Sequence, residues 1–84
     1  MPKFKARVHV QLKPSVLDPQ GKAIQQALSG LGFSEAKSVR VGKYFDLEID
    51  ADSKELAQKR VDEMANTVFA NPVIENFSLN LDGN

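Results

Sequence analysis

The sequence predicts a two-layer α+β fold, an antiparallel sheet with two helices on one face, in the order strand-helix-strand-strand-helix-strand. Three observations carry this. Apolar and polar residues alternate near both ends of the chain and again in its middle, the period of a half-buried strand. Two other stretches repeat apolar residues at helical spacing, each behind an aspartate suited to capping. Glycine, proline and asparagine punctuate the boundaries between them.

The first strand runs from Phe4 to Leu12. Phe4, Ala6, Val8, Val10 and Leu12 share one face; Lys5, Arg7, His9 and Gln11 share the other. Pro14 ends it, because proline cannot donate to a ladder. Asp18-Pro19 then starts a helix, with aspartate accepting from free amides and proline at the first helical position. Ile24, Ala27, Leu28 and Leu31 form its stripe, flanked by Ala23, and Gly30 and Gly32 stop it. Gly21 is a poor helix former in the first turn, which suggests a close approach by another group.

Val39, Val41, Phe45, Leu47 and Ile49 share parity across Gly42-Lys43-Tyr44. A two-residue turn at Gly42-Lys43 would set Val39 against Asp46, so it is rejected. A three-residue loop, Gly42 to Tyr44, pairs Val41 with Phe45 and Val39 with Leu47 and is preferred. One long strand bent at Gly42 keeps the same parity. Asp52, with Glu55 three residues on, resembles a capping box. Ala57, Val61, Met64, Ala65 and Val68 form the second helical stripe, flanked by Leu56 and Phe69. Asn71-Pro72 closes that helix, and Phe77, Leu79 and Leu81 alternate as the last strand. Asp82-Gly83-Asn84 reads as a mobile tail. The order is that of the split βαβ, ferredoxin-like arrangement, in one domain spanning residues 1–84.

A chain of 84 residues makes one small domain with a thin core. Such domains lean on disulfides, metals or self-association. With no cysteine and a single histidine, self-association is the remaining device. Eleven basic residues balance eleven acidic ones, which argues against nucleic acid as a partner. No apolar run approaches the ~20 residues of a membrane span, and the first residues lack the apolar stretch of a signal peptide. The expectation is a soluble, cytoplasmic domain.

Chemistry is sparse. His9 sits mid-strand with no nucleophile near it in sequence, and reads as a solvated or interface histidine rather than a general base. Asp46, Glu48 and Asp50 form an acidic row that could hold magnesium. They read better as cross-strand partners of the cations on the first strand, which the third strand would adjoin. Arg40 and Lys43 flank Gly42, but the glycine spacing and following helix of a phosphate loop are missing. Composition and spacing alone deliver a binding module.

Three segments say more. Lys13-Pro14-Ser15-Val16-Leu17-Asp18-Pro19-Gln20-Gly21 resembles the signature between first strand and first helix in PurS proteins, small subunits of phosphoribosylformylglycinamidine synthase. Val39-Arg40-Val41-Gly42-Lys43-Tyr44 is similar to the family's second motif, and Ala70-Asn71-Pro72-Val73-Ile74-Glu75 to its third. The resemblance implies a non-catalytic assembly subunit in purine biosynthesis, usually a homodimer; pairing of two such dimers into a dimer of dimers stays open. It bridges a glutaminase subunit, which supplies the cysteine nucleophile and ammonia, to a synthetase subunit, which holds ATP and magnesium. It aids ammonia transfer and carries no cofactor itself. Carried over by residue, Asp18, Pro19, Gln20, Gly21, Arg40, Gly42 and Lys43 are the expected contacts with the larger subunits. The competing readings are a regulatory ferredoxin-like dimer that binds a small molecule between its subunits, and a hydrolase built on His9.

Overall fold

A computed structural model describes residues 2–82. Its elements are β1 (Lys3–Leu12), α1 (Pro19–Gly30), β2 (Gly42–Asp50), α2 (Lys54–Met64), a π-helical turn (Ala65–Phe69) and β3 (Glu75–Asp82). Asp82 ends β3 in ladder with Lys5, and the rest of the expected tail lies outside the described residues.

β1 alternates as its sequence demands, with Phe4, Ala6, Val8 and Val10 buried. It is the central strand of an antiparallel sheet in the order β2-β1-β3. The registers set Val8 opposite both Phe45 and Leu79, so one face collects the apolar side chains of all three strands. The other face carries Lys5, Arg7 and His9 opposite Glu48, Asp46 and Tyr44.

The α+β class and the antiparallel sheet stand, but the expected hairpin between Val39 and Leu47 does not form. The sheet has three strands, and the chain enters β2 at Gly42 without turning back. The reason lies in where the backbone groups of 39–41 go. The Val41 N–H donates to the Asp18 carboxylate, and the Val39 carbonyl packs against Gly21. Those groups serve the start of α1 rather than a ladder. Gly42 pairs with Gln11, and a Cβ there would stand 2.7 Å from the Val10 carbonyl oxygen. Glycine opens the strand because the neighbouring backbone leaves no room.

The expected pair of helices over one face is also corrected. α2 covers the sheet, burying Ala57 and Val61, with Ala65 in the turn that follows. Ala6, Ala57 and Ala65 have no exposed surface. These small side chains let helix and sheet approach closely, which leaves the core thin. α1 buries only Gly21 and exposes Ile24. Its C-terminus is a Schellman motif: Phe33 N–H donates to Leu28 O, Gly32 N–H to Ser29 O, and Gly32 takes φ 98°. The helix is well ended but stands off the sheet. The molecule measures 52 × 26 × 14 Å with a radius of gyration of 16.5 Å. A compact chain of this length would have about 12 Å.

Two local expectations shift by one residue. Ser53, not Asp52, caps α2, accepting from Leu56 N–H at 3.1 Å with extended backbone. After Met64 the helix widens into one π turn, closed by Ala70 N–H on Ala65 O. That extra residue per turn turns Val68 out to solvent and brings Phe69 inward, where it stacks on Phe45 at 4.4 Å. Thr67 Oγ1 and Asn66 Nδ2 donate to the carbonyls of Glu63 and Asp62, four residues back. The π turn yields a test. Val61→Ala should cost about 2–3 kcal/mol, whereas Val68→Ala should change stability by less than about 0.5 kcal/mol. Urea denaturation of both variants reads the difference; equal losses would mean that the regular helix continues through Val68.

Candidate functional site

The three sequence segments, far apart along the chain, meet at one end of the sheet. Asp18 lies at their junction and is almost wholly buried. One carboxylate oxygen accepts from Gly21 N–H at 2.9 Å, capping α1. The other accepts from Val41 N–H at 2.8 Å, tying the second segment to the first. The close approach that Gly21 implies is the Val39 carbonyl: a Cβ at Gly21 would stand 2.3 Å from that oxygen. No residue larger than glycine fits without moving the strand-bound segment.

Arg40 closes the same junction from outside. Its guanidinium donates to the carbonyls of Lys13 and Val16, at 3.0 and 3.1 Å. The third segment joins through the backbone, Lys13 N–H donating to Ile74 O at 2.8 Å. It joins again through Lys43, whose Nζ reaches Phe69 O at 3.2 Å and the Glu75 carboxylate at 3.5 Å. Glu75 also accepts from Asn71 N–H at 2.7 Å, and the Asn71 side chain accepts from Val73 N–H as an Asx turn. Asn71-Pro72 thus ends the preceding turn and aims β3 back into the sheet.

Of the seven expected contact residues, the structure places Asp18 and Gly21 inside the junction and Gly42 in the ladder with Gln11. Pro19, Gln20, Arg40 and Lys43 are exposed around it. Asp18, Gln20, Gly42 and Lys43 line a shallow pocket of about 220 Å³, with Val10, Leu12, Val41 and Glu75. Glu75 and Lys13 are the residues that sequence reasoning passed over. Both sit inside the quoted segments, so the signal was present, but neither stands beside a glycine or a cap that would single it out.

His9 lies on the open face of the sheet, stacked against Tyr44 at 4.6 Å. Ser78 is its neighbour on β3 by register, yet no hydrogen bond joins them. Among the described residues no three His, Asp or Glu side chains gather as a metal group. The acidic row does lie opposite the cations of β1, with Asp46 facing Arg7 and Glu48 facing Lys5. The ion pair that closes, however, is Arg7 with Asp82 at 2.7 Å. No helix among the described residues is long and apolar enough to cross a membrane.

The two backbone donors, Val41 first and then Gly21, hold the Asp18 carboxyl below its ordinary range, with the Arg40 charge assisting and burial opposing. A carboxyl whose folded pKa is depressed contributes stability above the ordinary value of about 4. That contribution is lost as pH falls through the folded value. Asp18→Asn removes the titrating group, so the native chain should melt above the variant at pH 6 and the gap should narrow steadily towards pH 3. Thermal unfolding followed across that range measures it; a constant gap would deny the carboxylate its role in tying the segments together.

The geometry is a junction of segments, and comparison with known proteins shows the family in which such a chain is found. A family model described as PurS, phosphoribosylformylglycinamidine (FGAM) synthase, matches residues 5–83. The phosphoribosylformylglycinamidine synthase subunit PurS of Bacillus subtilis strain 168 is 45% identical over 74 residues, covering 88% of this chain and 87% of the relative. The solved structure of B. subtilis PurS superposes with a TM-score of 0.86 at 42% identity, covering 94% of this chain and 98% of that one. The structure of PurLQS from Thermotoga maritima contains a chain that superposes with a TM-score of 0.90 at 33% identity, covering 98% of this chain and 100% of that one. By sequence over nearly its whole length and by fold, the chain belongs to the PurS family of phosphoribosylformylglycinamidine synthase subunits.

Proposed function

We propose that this chain is an assembly subunit of phosphoribosylformylglycinamidine synthase, a ligase of purine biosynthesis, and that it works in the cytoplasm as a homodimer. It bridges the glutaminase and synthetase subunits and aids the passage of ammonia between them, while ATP and magnesium belong to the synthetase partner. The observation that carries this reading is the arm formed by residues 13–41. Across those 29 residues only Asp18 and Gly21 are buried, yet Leu17, Leu31 and Phe33 leave 73%, 75% and 53% of their surface exposed. A helix of 12 residues is marginal in water without packing. An arm of this kind, firmly rooted and uncovered, is built to be completed by other chains.

Pro19, Gln20, Arg40 and Lys43 are the contacts offered to the larger subunits. Arg40 and Lys43 already satisfy backbone carbonyls through some of their donors, and each keeps further N–H groups for a partner. Asp18, Gly21 and Gly42 hold these four in place.

The test is formylglycinamidine ribonucleotide synthesis by purified synthetase and glutaminase, with and without this chain. Glutamine-driven synthesis should need the chain, while synthesis from ammonium should proceed without it. If neither reaction registers its absence, the bridging role is wrong.

A further inference from the structure

The third sequence segment supplies none of the contacts offered to the larger subunits. Yet it meets β2 through a charged pair set where charge is out of place. On the covered face of the sheet, β2 carries Phe45, Leu47 and Ile49, and β3 carries Phe77, Leu79 and Leu81. Lys43 and Glu75 continue those two rows at the same parity, in positions that alternation reserves for apolar side chains. By register Lys43 lies beside Val10 and Glu75 beside Leu12, so the pair spans β1 at the end of the core.

The two partners are unequal. The Glu75 side chain is 14% exposed, that of Lys43 53%. One Glu75 oxygen accepts from Asn71 N–H at 2.7 Å, which anchors the carboxylate within its own segment. The other stands 3.5 Å from Lys43 Nζ. The same Nζ donates to Phe69 O at 3.2 Å, a carbonyl at the end of the π turn, where donors within the helix have run out. The ammonium keeps a further N–H for a partner. Two shallow hollows, of about 220 and about 410 Å³, adjoin the pair, and each is lined by both residues. A partly exposed ion pair of this length adds little to stability. What it fixes is the place of a charge carried on a flexible carbon stem.

We propose that Glu75 is the positioning residue for Lys43. Anchored by the Asn71 amide, its carboxylate holds the ammonium beside both hollows, with a free N–H ready for an acceptor oxygen of a larger subunit. The third segment then serves assembly through Lys43, without itself touching the partner. Immobilising a rotamer-rich side chain on binding weakens an interface by about three- to tenfold. Glu75 imposes that order before the partner arrives. This inference rests on the bridging reading above, with Lys43 as one of its contacts.

The test titrates the native chain, Glu75→Gln, Lys43→Met and the double variant into purified synthetase and glutaminase. It reads the chain concentration that gives half-maximal glutamine-driven synthesis. Glu75→Gln keeps the side-chain size and an oxygen for the Asn71 amide, and removes the charge that holds Lys43. The half-maximal concentration should rise about three- to tenfold for Glu75→Gln and at least as much for Lys43→Met. The double variant should match Lys43→Met, because Glu75 acts through Lys43. A native-like titration of either single variant overturns the proposal, as do losses that add in the double variant or that follow a fall in melting temperature. A second measurement needs no partner. Carbon-13 relaxation in the native chain should show the Lys43 ε-methylene moving less than that of Lys59, which closes no ion pair among the described residues. In Glu75→Gln the difference should shrink. Equal motion in the native chain would contradict the proposal. Glutamine-driven synthesis that proceeds without the chain overturns the bridging reading instead, and relaxation alone then judges the hold of Glu75 on Lys43.

Discussion

The rest of the structure depends on a single carboxylate that serves two masters. Asp18 caps the first helix through Gly21 and, with its second oxygen, takes the N–H of Val41 from a segment 23 residues away. An amide buried without a partner is costly, so once Val41 is committed here it cannot also join a sheet. That commitment keeps residues 39–41 out of the ladder, sets β2 to begin at Gly42, and leaves β1 flanked by two edges rather than buried in a four-stranded sheet. The same contact fixes where α1 starts and therefore how the arm leaves the sheet. Gly21 follows from it, since the Val39 carbonyl occupies the space where a side chain would go.

From this constraint comes the division of the molecule into a packed half and an uncovered half. α2 and the π turn close the core over the sheet, with fully buried alanines bringing the backbones together. The arm has no comparable core. In a chain of 84 residues, hydrophobic burial within one copy is modest, and apolar surface left on the arm and along β3 adds little to the monomer. Under the proposed function, association with other chains would turn that surface into stability. The fold of a small subunit and its proposed function as a bridge are then one property: the surface that adds little to the monomer is the surface offered to partners.

Much of this was written locally in the sequence. Alternation marked β1 and β3, and Asp18-Pro19 marked the helix start, because strand and cap chemistry depend on near neighbours. Gly21 stood out as a poor helix former and proved to be a point of backbone contact. What misled was parity. Val39 and Val41 share a face with Phe45 and Leu47 whether the chain turns back or simply runs on extended, so alternation cannot reveal that a distant carboxylate has taken the Val41 amide. The stripe through Val68 failed because one π turn rotates everything after it by a residue. Only the polar side chains of Asn66 and Thr67, bonding back to the helix, hint at that widening. Asp52 and Ser53 are both good caps, and backbone geometry chose between them. Family likeness located the junction segments as a group, whereas the separation of exposed contacts from structural supports needed coordinates.

The most direct measurement of the central claim is amide hydrogen exchange at Val41, read beside Gly21 and Lys13, in the native chain and in Asp18→Ala. The account predicts that Val41 is protected in the native chain although it lies outside any strand. It also predicts that removing the carboxylate speeds exchange at Val41 and Gly21 together, while amides in the middle of β1 keep their protection. A Val41 amide that already exchanges freely in the native chain would contradict the account, because the arm would then have no fixed root.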